Sequence, residues 1–461
     1  MPEEQTADVV VVGGGMAGLA ALLTAAEAGA DAVLIEKRND LGGSTVLSSG
    51  LMAFAGTVEQ EAAGISDSPE LLRSDLLQVG RGRNSAELVD AYCTRQAATY
   101  QWLAERGVAF GHPHGASGQS VPRSHPIDTS AAIQGFARRA RTAGARIEFG
   151  IRAQRLRTQD GRVTGVLADT PDGETEYKSA AVILATGGFS RSGDLMTRFA
   201  PGMEKALRHG GAGSTGDGLL MACKLGAGLA DMPYVKGTFG IFPWPSAGEE
   251  GTGILVVYKG AIAVNGFGER FTDESLPYKE IGDACLAQPG EIAFQIFDES
   301  ILGQADADVP IYDFRKRVTH GQVQQADTIG ELADKLGLPP DALTKTVEEY
   351  NARIATGQSD PLGRATLSGG FGTPVPIAAP PFYGFPSATV VLATYAGVTI
   401  DAGARVLDVF GDPIEGLYAA GELTGGLHGA GYQTGTSIGK SAIFGRTAGE
   451  AAVSLASQQA H

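Results

Sequence analysis

The stretch from Asp8 to Asp40 restricts this chain's folding options more than any other. Asp8-Val-Val-Val-Val is short, β-branched and apolar, which reads as a buried strand. It runs into Gly13-Gly14-Gly15-Met16-Ala17-Gly18, a G-x-G-x-x-G pattern. A small-residue helix from Leu19 to Ala28 follows, and Gly29 ends it. The next strand, Ala32-Val-Leu-Ile, delivers Glu36 eighteen residues after Gly18. Gly13 permits a tight turn, Gly15 lets backbone N–H groups approach a pyrophosphate, and Gly18 lets helix pack on strand. The helix N-terminus faces phosphate charge, and Glu36 can accept hydrogen bonds from a ribose. An acid at position 36 argues against a 2′-phosphate. The expected ligand is therefore a dinucleotide with an unmodified ADP half, with NAD and FAD both open.

The chain's 461 residues are too many for one compact domain, so two are expected. The formal charge is −16 and the 36 Lys and Arg residues form no basic block, which argues against nucleic acid as a partner. No apolar run reaches the roughly 18 residues of a membrane span. The acidic start, Met-Pro-Glu-Glu-Gln, does not read as a secretion signal. Cys93, Cys223 and Cys285 fit no metal or redox spacing and read as buried thiols of a reducing, cytoplasmic protein.

Behind the second strand, Asn39 to Leu51 is rich in small donors. Gly43, Ser44, Ser49 and Gly50 are expected to lie along an extended cofactor. Ser85 to Arg106 reads as a helix capped by Ser85, and a second helix capped near Asp128 runs to Arg141. Between them His112 and His114 lack a third ligand at a recognisable spacing, so no metal site is expected. A turn at Asp160-Gly161 joins two strands, and Val182-Ile-Leu-Ala-Thr-Gly-Gly-Phe is a third, ending in glycines. Ser214-Thr-Gly-Asp-Gly opens a helix from Leu219 to Leu225, with Asp217 as cap or ligand contact.

From about Met232 the texture changes. Pro233, Tyr234, Phe239, Phe242, Pro243, Trp244 and Pro245 cluster, and strand–helix alternation lapses. Asp341 is expected to cap a helix from Ala342 to Ile354. A Pro-rich passage from Thr373 to Tyr383 reads as a return linker. The last block, Gly416 to Ala442, is strand, glycine-rich loop and helix. The expected fold is α/β: a doubly wound, Rossmann-like domain split into residues 1–231 and 375–461, with an inserted α+β cap at 232–374.

Together these blocks resemble the fumarate reductase/succinate dehydrogenase flavoprotein superfamily. The features are Gly13 to Gly18 with Glu36, Ala185-Thr-Gly-Gly, Thr215-Gly-Asp-Gly, Glu269-Arg-Phe-Thr-Asp-Glu and Gly416-Leu-Tyr-Ala-Ala-Gly-Glu. The resemblance spans nearly the whole chain and implies FAD. It places flavin contacts at Gly187, Asp217, Glu422 and Ser437. The expected cofactor set adds Met16, Ala17, Lys37, Ala153, Ala185, Thr186, Gly421 and Ile438. Gly43-Ser-Thr-Val-Leu-Ser-Ser lacks the His of covalent flavin attachment, so FAD is expected to be non-covalent.

The family's dicarboxylate chemistry does not carry over. Segments that hold substrate-binding His and Arg in fumarate reductases read Tyr234-Val-Lys-Gly-Thr-Phe, Ala393-Thr-Tyr-Ala-Gly and Gly429-Ala-Gly-Tyr-Gln-Thr-Gly here. The 3-ketosteroid dehydrogenase branch is more similar. Its N-E-S-x-P-Y segment matches Asp273-Glu-Ser-Leu-Pro-Tyr278, which implies Tyr278 as base. Its C-terminal Tyr matches Tyr432, with Gly435 three residues on rather than four as the backbone partner at the substrate oxygen. The implied activity is α,β-desaturation of a cyclic ketone with an external electron acceptor. The ketone is a 3-ketosteroid or a monocycle such as 4-oxocyclohexanecarboxylate or cyclohexanone. An ene-reductase is the alternative, and a non-enzymatic flavin redox protein a more distant one. Tyr395, Tyr258, Arg123 and His125 are further candidates for substrate contact.

Overall fold

The computed structural model describes residues 3–244, 253–368 and 370–459; Pro245 of the aromatic cluster lies outside them. The first sheet is built on strand Glu3–Val12, whose Val9 to Val12 are all buried. It pairs in parallel with Ala32–Glu36 on one side and Gly173–Leu184 on the other. Arg146–Phe149 extends the sheet in parallel beyond Ala32–Glu36, and Pro413–Ala419 does so beyond Gly173–Leu184. A run buried on both faces, as here, is what a parallel sheet requires. An antiparallel hairpin, Arg152–Gln159 with Arg162–Thr170, leans on the same sheet. Its turn is Asp160-Gly161, both with positive φ.

Helix Met16–Glu27 packs on Thr129–Thr142 and on the C-terminal helix Thr436–Gln459. The contact with the C-terminal helix is close because Gly445 and Gly449 face it. A Cβ on Gly449 would stand 2.7 Å from the Ala21 carbonyl, and one on Gly445 would collide with that of Ala17. Side-chain caps fall where the sequence reading puts them at Ser85 and Asp128, whose oxygens accept from Leu88 and Ala131 N–H groups. Two helix starts differ. Pro340–Thr356 begins at a proline, with Asp341 inside its first turn. Asp217–Lys224 is preceded by Gly216 at φ +81°, so Asp217 is the first helical residue and its side chain is free for other contacts.

The second sheet has an antiparallel core, Thr238–Ile241, Phe382–Val391, Ile292–Asp298 and Ile262–Val264, in that order. Phe382–Val391 is its central strand, so the expected return to the first sheet at residue 375 is placed too early. Tyr383 pairs with Phe297 and Thr389 with Phe239. A proline-rich approach does not stop the following apolar run from pairing. Leu207–Arg208 also joins this sheet, beside Val390 and Val391. Two hydrophobic clusters follow the two sheets, and Tyr432, from the C-terminal loop, packs against the second.

Gly445→Val tests the close helix contact. The branched side chain has no room against the Ala17 backbone, so a loss of about 1–3 kcal/mol is expected, read as a lower midpoint in thermal or urea unfolding.

Candidate active site

Parallel pairing sends the carboxyl ends of Glu3–Val12, Ala32–Glu36, Gly173–Leu184 and Pro413–Ala419 to one edge of the first sheet. A cavity of about 710 Å³ opens there, between that edge and the second sheet. The N-termini of Met16–Glu27 and Thr436–Gln459 both open on it, through Met16, Ala17, Ser437 and Ile438. Such a crevice is the usual ligand position of open α/β sheets.

At the glycine turn, Gly13 adopts φ +110° and a Cβ there would press on the Ala185 backbone. Gly15 lines the cavity uncrowded, since a Cβ on it would make only ordinary contacts with the Gly42 carbonyl at 3.7 Å and the Thr45 hydroxyl at 3.8 Å. Gly18 lies behind the cavity wall, its hydrogens against the Gly13 carbonyl, so it sets the packing of helix on turn. Glu36 accepts from Gly14 N–H at 2.7 Å and from Arg38 N–H at 2.9 Å. These bonds aim the carboxylate into the cavity, and a carboxylate has acceptor sites left over for a ribose.

Lys37 and Asp217 line the same wall as an ion pair of 2.7 Å, and Arg152 reaches the other Asp217 oxygen at 3.0 Å. Burial opposes ionisation of Asp217, but the Lys37 and Arg152 bonds outweigh it and hold the carboxyl below the usual range. Gly43, Ser44, Ser49, Ala153, Ala185, Thr186 and Gly187 also line the cavity. Gly50 does not; it makes the turn between Ser49 and Leu51, at φ +69°. Gly421 and Glu422 complete this side. Glu422 accepts from Thr394 N–H at 3.0 Å, and burial raises its carboxyl.

Three tyrosines meet where the second sheet closes over this wall. Tyr278 starts helix Tyr278–Leu286, Tyr395 follows the central strand, and Tyr432 lies in the C-terminal loop. Tyr432 stacks on Tyr395 with ring centroids 4.4 Å apart and meets Tyr278 edge-on at 6.4 Å. All three line the cavity, as does Gly435. Burial pushes Tyr278 and Tyr395 well above the ordinary phenol value and raises Tyr432. Backbone hydrogen bonding from Ser437 and Gly435, with that of the Tyr395 hydroxyl, opposes the rise at Tyr432.

Three expected substrate contacts lie elsewhere. Arg123 is fully buried between Asp67, at 2.8 Å, and Asp75. Two charged partners enclose it, and it does not line the cavity. His125 is bound to the Thr57 hydroxyl at 2.8 Å and the Met52 carbonyl at 3.3 Å. Tyr258 donates to the Leu276 carbonyl at 2.8 Å, bracing the segment that enters Tyr278. The sequence reading missed Lys279. Its ammonium lies 4.6 Å from the Tyr395 ring centroid, 5.8 Å from that of Tyr432 and 5.9 Å from that of Tyr278. A signal existed, because Lys279 shares helical spacing with buried Gly282 and Leu286.

A family model described as an FAD binding domain matches residues 8–438. A probable fumarate reductase, Ifc3, of Shewanella frigidimarina (strain NCIMB 400) is 32% identical over 456 residues, covering 97% of this chain and 74% of that one. The open conformation of a flavocytochrome c3 fumarate reductase superposes with a TM-score of 0.83 at 31% identity, covering 99% of this chain and 79% of that one. The 3-ketosteroid-Δ4-(5α)-dehydrogenase of Rhodococcus jostii RHA1, solved with 4-androstene-3,17-dione, superposes at 0.77 with 28% identity, covering 98% and 99%. The chain belongs to the FAD-binding fumarate reductase/succinate dehydrogenase flavoprotein superfamily and is an FAD-dependent oxidoreductase. The open glycine backbone at Gly15, the aimed Glu36 and the two helix N-termini suit that cofactor. Among the described residues no helix is long and apolar enough to cross a membrane.

Glu36→Ala removes the acceptor for Gly14 N–H and the expected ribose partner. FAD affinity should fall roughly 10- to 100-fold, measured by flavin fluorescence on release.

Proposed function

We propose that the protein is a desaturase that introduces a C=C bond α,β to the carbonyl of a cyclic ketone, either a 3-ketosteroid or a smaller monocycle. The carrying observation is that Tyr278 and Tyr432, 154 residues apart in the chain, share one cavity with their rings 6.4 Å apart. A C–H beside a ketone is acidic only if the enolate oxygen is stabilised. Tyr432 is suited to donate to that oxygen. Gly435, which lines the same cavity, would supply the second donor through its backbone N–H.

Tyr278 takes the α-proton, as a phenolate or while its own hydroxyl proton leaves through a relay. FAD, held without a covalent bond, would supply the acceptor for the hydride leaving the β-carbon, the two electrons then passing to an external acceptor. The substrate thereby loses one proton and one hydride and gains the double bond. Burial makes a Tyr278 phenolate costly, so the base needs compensating charge nearby.

The second reading is an ene-reductase running the opposite direction, with Tyr278 as the proton donor. Microscopic reversibility allows one phenol to serve both. The 32% identity to a probable fumarate reductase favours it. Both readings keep the cavity and differ in the substrate that exchanges electrons with the flavin.

Anaerobic mixing with a panel of saturated cyclic ketones should bleach the flavin and yield the enone. If no ketone bleaches it and an enoate reoxidises the reduced protein, the ene-reductase reading replaces the desaturase. Tyr278→Phe should keep FAD and slow bleaching roughly 10²- to 10⁴-fold. Tyr432→Phe should slow it roughly 10²- to 10³-fold; unchanged stopped-flow rates in either variant would remove that residue from its role.

A further inference from the structure

The least expected group near the site is a buried cation. Lys279 is 6% exposed. Its ammonium donates to the Lys236 carbonyl at 3.1 Å and the Thr238 hydroxyl at 3.4 Å, and three ring faces surround it. Neither nearby carboxylate is hydrogen-bonded to it. Asp283 is paired with Lys236 at 2.5 Å, and Glu422 accepts from Thr394. An apolar side chain at 279 would pack here without the several kcal/mol that burying a charge costs.

We infer that Lys279 is a positioning residue: its ammonium, held behind the faces of Tyr278, Tyr395 and Tyr432, stabilises negative charge on the oxygens these rings present to the cavity. The inference rests on the tyrosine site proposed above and supplies the charge that a buried phenolate or enolate lacks. A cation against the negative face of a ring draws electron density from the phenol, strengthening its O–H as a donor and lowering the cost of its anion.

Burial holds the Lys279 amine down to about 7, so its charge is present below that pH and lost above it. The groups facing it are Tyr278 and Asp283 from its own helix, Lys236 from the segment before strand Thr238–Ile241, Tyr395, Glu422, and His428 and Tyr432 from the C-terminal loop. Of these, burial keeps His428 neutral and the phenols protonated across this range.

The test uses the FAD-loaded protein and 4-nitrophenol, a planar ring whose visible band reports its anion. After correction for the free phenol's own ionisation, affinity for the phenolate should fall as pH rises through about 7. At about pH 6, Lys279→Met should bind the phenolate roughly tenfold more weakly than wild type and show no fall. Lys279→Arg, which keeps its charge, should restore binding and hold it to about pH 9. A flat or rising wild-type profile overturns the inference, and this arm needs no variant to fold. It is equally overturned if Lys279→Met binds the phenolate like wild type, or if folded Lys279→Arg loses binding.

Ketone-driven flavin bleaching is the second arm. Its rate should carry the same falling limb in wild type and lose it in Lys279→Arg. If no ketone bleaches the flavin, the desaturase reading fails while the phenolate arm still decides Lys279.

Discussion

Parallel pairing within the first sheet is the constraint on which the rest of the molecule depends. Val9 to Val12 lie between Ala32 to Ile35 and Ala181 to Leu184, all running the same way. Every strand in such a group ends at the same edge, and each must leave it by a turn. Gly13 to Gly15, the segment after Glu36, Thr186-Gly187 and Gly421-Glu422 are those turns. Four segments far apart in the chain thus meet at one place, because backbone hydrogen bonding leaves them no other direction. The glycines let the turns approach a ligand and each other, and Gly18 and Gly445 let the helices that cover the sheet sit close enough to bury it.

The second sheet decides what happens beside the flavin site. Its central strand, Phe382–Val391, ends just before Tyr395, and helix Tyr278–Leu286 packs against the same sheet. The two elements deliver phenols onto Tyr432, one stacked and one edge-on, and Tyr432 belongs in sequence to the C-terminal loop. A ring cluster of this kind excludes water, and that strengthens every polar interaction inside it. The same exclusion makes ionisation of the phenols expensive. One lysine behind the rings is an economical answer to that difficulty, since its own charge is what burial leaves least screened.

The G-x-G-x-x-G turn with Glu36 was legible because its parts are adjacent and each residue type has one physical use. Tyr278 and Tyr432 were legible by resemblance to a family, carried by Asp273 to Tyr278 and the C-terminal glycine loop. Arg123, His125 and Tyr258 were misjudged for a common reason. A charged or polar side chain in a loop looks available until its partners are known, and Asp67, Asp75, Thr57, Met52 and Leu276 are not its sequence neighbours. The boundary at 375 was misjudged because prolines mark where a chain cannot pair, without saying which sheet the next apolar run will join.

By itself the amino-acid sequence determined a parallel α/β framework and a dinucleotide site, since local periodicity, glycine placement and one acid are short-range properties. Tertiary structure alone decided that Tyr395 stacks on Tyr432 and that Lys279 lies behind three rings. Those contacts join Tyr395 to Tyr432, 37 residues on, and Lys279 to rings 116 and 153 residues away. Only the packing of one sheet against the other sets them.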